Sequence, residues 1–209
     1  SNMKQHFISL VLFFSFLLSG CMPLKQTEVT SPNGHIRLAF ALDGNNRMTY
    51  QVSVGDTVFI APSLLGFTAK DGVNLAEGFK VINTDFTTYD ETWTQPWGEN
   101  KTIRNHYNEM AVHLSDTTNT QLTLRFRIFD DGLGFRYEYE VPGVDSILVT
   151  DELTAFNIVQ DGISWSIPAN YDTYELLYRT QPVSRIDNAN TPMTCLLYTS
   201  PSPRDGLLS

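Results

Sequence analysis

The sequence predicts an all-β chain folded as an antiparallel β-sandwich, and three observations carry that prediction. Apolar and polar residues alternate with period two over short runs. Gly, Asp and Asn cluster between those runs as turn residues. No long stretch of helical period follows the first 21 residues. At 209 residues, with 42% hydrophobic and 12% aromatic content, the chain can bury a sizeable core as one domain. The formal charge of -9 and a pI near 4.8 argue against nucleic acid or an anionic membrane surface as partner, because both are held through basic patches.

The elements follow in order. Met3 opens a signal-like segment, with Lys4 as positive charge and an apolar run over 7–18 broken only by Ser9 and Ser15. That run is too short for a spanning helix. It ends in LSGC, which resembles a bacterial lipobox with Cys21 as the acylated residue. The expected layout is a signal peptide over 1–21, a short linker over 22–28 and a sandwich over 29–194. Ser1 and Asn2 precede the Met and are expected to be upstream leftovers outside the fold. The only other cysteine is Cys195, so a lipid on Cys21 excludes a disulfide within the chain.

Ile36, Leu38, Phe40 and Leu42 alternate with Arg37, Ala39 and Ala41. A turn at 43–46 then leads into Met48, Tyr50, Val52 and Val54, which makes a β-hairpin. Further extended pieces are expected at 58–60, 66–69 and 79–87. Leu122, Leu124, Phe126 and Ile128 face one way and Thr123, Arg125 and Arg127 the other, before 130–134 turns the chain into Phe135, Tyr137 and Tyr139. Asp130 and Asp131 could serve a cation, but Asp before Gly between alternating strands is ordinary turn chemistry.

Two stretches break the pattern. Residues 95–110, QPWGENKTIRNHYNEM, have no clear period and read as a loop or strand end until alternation returns at Tyr107. Trp93 and Trp97 could stack on a sugar ring or cap an open sandwich end. His106 could orient a ligand hydroxyl, yet one His without a second ligand is a poor metal site. Nothing in the sequence says that Glu99 and Glu109 converge. Residues 164–194 leave the strand pattern at Pro168, which has no N–H to donate. They continue as a loop rich in aromatic and acidic residues that includes Tyr171 and Glu175. Glycoside cleavage ordinarily needs two carboxyl groups across the scissile bond, and no such pair can be nominated here.

PWGE followed by IRNHYNE, with the DDG-to-FRYE hairpin, resembles the N-terminal domain of glycoside hydrolase family 97, the α-glucosidase and α-galactosidase family of starch-utilisation type. The resemblance implies a supersandwich of galactose-mutarotase-like kind, incomplete at its C-terminal end. It implies that the catalytic (β/α)8 barrel lies on a part of the enzyme absent from this sequence, so this chain alone is expected to be inactive and to hold no catalytic residue. It also implies α-linked oligosaccharides as substrate and a calcium ion beside the substrate, with Glu175 as the one ligand from this domain. The bland reading of Glu175 is a surface acid paired with Arg179. Trp97, Arg104, His106 and Tyr171 would then support the substrate or the face that meets the barrel. The implied location is the periplasm or cell surface of a Gram-negative bacterium, with membrane contact only through the lipid. Residues 195–205 resemble the translation of a sequencing adapter, so 195–209 are expected not to be native. The competing expectation is a free-standing, lipid-anchored carbohydrate-binding or adhesion module.

Overall fold

The computed structural model describes residues 26–170, 172, 173 and 175–187, and the backbone alone of 71 and 193–199. Its strands run in chain order as β1 (Thr27–Thr30), β2 (Ile36–Leu42), β3 (Met48–Val54), β4 (Thr57–Leu64), β5 (Phe67–Ala69), β6 (Asn74–Leu75), β7 (Lys80–Thr94), β8 (Thr102–Ser115), β9 (Gln121–Ile128), β10 (Leu133–Glu140), β11 (Val149–Glu152), β12 (Asn157–Ile158), β13 (Ile163–Pro168), β14 (Arg179–Pro182) and β15 (Met193–Thr199). Among the described residues there is no α-helix, and hence no helix long and apolar enough to cross a membrane.

Two sheets make the sandwich. One has the order β1-β2-β3-β4-β12 and the other β10-β9-β8-β7; smaller sheets β11-β5-β6 and β14-β13-β15 complete the chain. All the pairings are antiparallel, as the expected fold class requires. The alternating residues set the register, since period two puts every second side chain on one face. Leu38 lies across from Val52 and Phe40 across from Tyr50. Met110 and Val112 lie across from Phe126 and Leu124. These side chains meet between the sheets as one buried apolar cluster, and its removal from water is the main favourable contribution to the fold.

The turns follow from local chemistry. Asp43 accepts hydrogen bonds from the Asn45 and Arg47 N–H groups, and Asn46 takes a left-handed conformation that suits its short polar side chain. Between β9 and β10 the Phe129 N–H donates to the Gly132 carbonyl at 2.8 Å, so Asp130 and Asp131 occupy the expected turn. Asp130 also accepts from the Asn33 N–H at 2.8 Å and fixes the β1–β2 connection against that turn.

One flank of the sandwich is closed. Tyr139 donates to the Leu75 carbonyl at 2.7 Å, Tyr137 accepts from the Gly66 N–H at 3.1 Å, and Phe67 packs edge-on against Tyr137 at 4.7 Å. The sheet β11-β5-β6 is thereby tied over β10. Gly66 permits the approach: at φ +126° an added Cβ would sit 2.9 Å from the Leu75 carbonyl oxygen.

The sequence expectations need correction at three boundaries. The strand expected to end at residue 87 runs on to Thr94, regular pairing returns at Thr102 rather than Tyr107, and β4 spans Thr57–Leu64 rather than 58–60. The first two share a cause. β8 meets β9 only from Asn108 onward, so 89–94 and 102–107 pair with each other alone. They form a two-stranded arm with no sheet continuing beyond it, and a strand without a buried face shows no apolar period.

Candidate functional site

The arm is built by a hairpin whose tip is the loop 95–101. The Gln95 N–H donates to the Lys101 carbonyl at 3.0 Å, and the Gln95 side chain donates to the Asn100 carbonyl at 3.0 Å. Pro96 and Gly98, the latter at φ +107°, turn the chain between those closures. Trp97 is thrown outward at the tip and is 84% exposed. Trp93 is partly exposed on β7 below it.

Arg104 and His106 come together on β8 around one carboxylate of β7. Arg104 grips Asp90 through both carboxylate oxygens, each at 2.8 Å, and Asp90 lies directly across the ladder from His106. The Arg104 guanidinium holds the Asp90 carboxyl below the ordinary carboxylate range. The arm's root is a stack of rings: Tyr89 on Tyr107 at 5.2 Å, Phe129 against Tyr107 at 5.1 Å, and the Arg127 guanidinium 4.7 Å from the Tyr107 ring centre. Unaided, a two-stranded ribbon is marginal in water, so this clamp positions the arm.

Glu99 and Glu109 do not converge. Glu99 sits in the exposed tip loop, whereas Glu109 is buried lower on β8 between Arg125 at 2.5 Å and Arg127 at 2.7 Å. Arg125 reaches on to Glu138. Burial alone would raise the Glu109 carboxyl, but the hydrogen bonds from Arg127 and Arg125 outweigh it and leave the group below its ordinary value. On the same outer face His113 bridges Thr123 and Asp85 at 2.9 and 3.0 Å. That line has the order hydroxyl, imidazole, carboxylate, yet it lies open on the strand surface and joins three strands. Sequence reading missed both clusters. Alternating Arg and Thr on β9 was the available signal, but it does not say which acids stand opposite.

Glu175 lies on the connection between β13 and β14. It is exposed, and its N–H donates to the Thr173 hydroxyl at 3.1 Å. Among the described residues no ion pair joins it to Arg179, and no group of three acidic, His or Cys side chains could hold a metal. Cys21 and Tyr171 lie outside the described residues. No described hydrogen bond links the Glu175 loop to the arm, so among the described residues Glu175 stands apart from the Arg104–Asp90 pair.

The sequence model described as "Glycosyl-hydrolase 97 N-terminal" matches residues 29–201. The chain belongs to that family. Structures of a Glycoside Hydrolase Family 97 enzyme from a Pseudoalteromonas species, one with panose and another with acarbose, are similar to it at a TM-score of 0.69 and 31% identity. Each similarity covers 75% of this chain and 24% of that enzyme. A retaining alpha-galactosidase of Bacteroides thetaiotaomicron is 26% identical over 113 residues, which are 54% of this chain and 16% of that protein. A beta-arabinopyranosidase shares the fold at a TM-score of 0.63 and 21% identity. The chain therefore spans about a quarter or less of the relatives it matches.

Proposed function

We propose that this chain is the N-terminal β-sandwich of an exported α-glycoside hydrolase that acts on oligosaccharides. The carrying observation is the family match over 29–201, together with the likeness to an enzyme whose structure holds panose. Among the described residues Asp90, Glu109 and Glu138 are each held by arginine, which leaves none of the three free to act as acid or base. Acid and base would then come from a barrel on the same polypeptide, and this chain alone would be inactive.

The described residues fit a calcium ion only as contributors. Glu175 offers one exposed carboxylate, whereas calcium takes six to eight oxygens. When bound, calcium would polarise or position the sugar next to the scissile bond. Glu175 would hold one side of it, the loop that begins near Tyr171 would flank the sugar, and Arg104, His106 and Trp97 would shape the end of the sandwich that meets the barrel. Export and acylation at Cys21 complete this reading, and they put the enzyme in the periplasm or on the cell surface.

The test is hydrolysis of an aryl α-glucoside and an aryl α-galactoside by the polypeptide translated from the uninterrupted gene. Calcium-dependent turnover that falls at least 100-fold in Glu175→Gln is the expected result. Turnover by the 209-residue chain itself, above a Glu175→Ala control, overturns the reading. Trp97 and Trp93 on the exposed arm favour one second reading, a free-standing sugar-binding module. It requires this chain alone to bind a malto-oligosaccharide in calorimetry and to lose that binding in Trp97→Ala.

A further inference from the structure

Three strands of the second sheet have a strand of the first lying over them. β10 meets β3 through Phe135 and Tyr50 at 5.6 Å, β9 meets β2 through Phe126 and Phe40 at 6.2 Å, and β8 meets β1 through the Asn108 amide, which donates to the Thr30 carbonyl at 2.9 Å. β7 is the next strand in this series, and β1 is the last strand of the facing sheet, so among the described residues no strand lies over β7. The side chains register the difference. Val81 pairs across from Leu114 and Phe86 across from Met110, which places all four on the inner face. Leu114 and Met110 are 2% and 0% exposed, but Val81 and Phe86 are 42% and 56% exposed. Along the seam run two grooves, one of about 610 Å³ walled by Thr27, Phe40, Leu42, Val81 and Thr84, the other of about 300 Å³ beside Thr30, Phe86 and Thr88.

We propose that one further strand of the same natural polypeptide, from the part following Thr194, adds to the free edge of β1 and lies over β7. This rests on the reading above that the natural polypeptide continues, as it does in the relatives, of which this chain covers 24%. The occupant is a strand because the gap is one strand wide in a regular series and its border is an unpaired backbone edge. It carries apolar residues at every second position, since one face meets Val81 and Phe86 and the other meets water. A second copy of this chain fits less well. A four-residue edge and a few side chains fall short of the roughly 1,200 Å² that stable association needs, whereas a tethered strand pays no association entropy.

The experiment compares the 209-residue chain with the polypeptide of the uninterrupted gene by two measurements. One is amide hydrogen exchange over 27–30; the other is the rate at which Phe86→Cys reacts with a maleimide, read at that residue by mass spectrometry. Both rates are expected to fall at least tenfold in the longer polypeptide. Unchanged rates there, or a natural reading frame that stops soon after the Thr194 codon, overturn the proposal. Slow rates in the 209-residue chain together with a dimer mass in sedimentation make a second copy the occupant and overturn it as well. Slow rates in a longer polypeptide that cleaves no α-glycoside support the strand and sink the enzymatic reading. Unchanged rates in one that does cleave them do the reverse.

Discussion

The two flanks of this sandwich differ in how their last strand ends. At β10, rings and hydroxyls on the inner face are met by β5, β6 and the residues around Gly66, and each buried polar atom of that contact has a partner. At β7, the inward-facing Val81 and Phe86 meet solvent. Both strands carry large apolar side chains at inward positions, Val81 and Phe86 on β7 and Phe135, Tyr137 and Tyr139 on β10. What distinguishes them is whether later chain returns to cover the strand, and it does so for β10 through β11, which pairs with β5.

Substitutions can break or sharpen that contrast. The largest effect is expected behind the closed flank. Phe126→Ala removes a fully buried ring packed on Phe40 and Phe135 and should cost about 3–5 kcal/mol in urea unfolding. Gly66→Ala comes next, at about 1–3 kcal/mol, because the new Cβ is strained at φ +126° and meets backbone oxygen. Glu109→Gln leaves Arg125 and Arg127 without their shared carboxylate; with those arginines partly exposed, about 1–2 kcal/mol is expected.

That last variant also carries a pH signature. The folded Glu109 carboxyl lies below its ordinary value of 4.5, so its stabilisation is complete above that value and fades as pH falls through the lower folded value. Wild type should therefore lose stability below about pH 4.5 more steeply than Glu109→Gln does. Equal slopes in thermal melts would remove the buried carboxylate from the account. The smallest effect is expected at the open flank, where Phe86→Ala in this 209-residue chain should stay within about 0.5 kcal/mol. A loss of 2 kcal/mol or more there would erase the difference between the flanks.

Much of the fold was legible because sandwich strands bury one face, and burial writes period two into the sequence. Ile36 to Leu42 and Leu122 to Ile128 carry it plainly. Residues 88–106 do not, for a physical reason: the arm has no packed face, so Thr, Asp, Glu and Asn occupy positions that apolar residues would otherwise hold. The turn at Asp130 was legible from its Asp-Gly chemistry. The candidate site was less so. Trp97, Arg104 and His106 were found through a motif and not through a pattern, and the ion pair that joins Arg104 to Asp90 depends on a register that no local signal sets. Glu175 was legible through resemblance alone, because an exposed acid on a loop belongs to no periodic pattern. Glu109 escaped because a buried acid is recognised only by the arginines beside it, which lie 16 and 18 residues away in sequence.

The arm has an optical consequence. Two of the chain's three tryptophans, Trp93 and Trp97, sit on it, and the stack of Tyr89, Tyr107 and Phe129 anchors it at one end. Two of the three indoles therefore report what touches the arm, with Trp165 as the third emitter. A blue shift on adding a sugar, or on joining the chain to the rest of its polypeptide, would give a label-free titration signal, and quenching by iodide would measure how much of the tip stays in water.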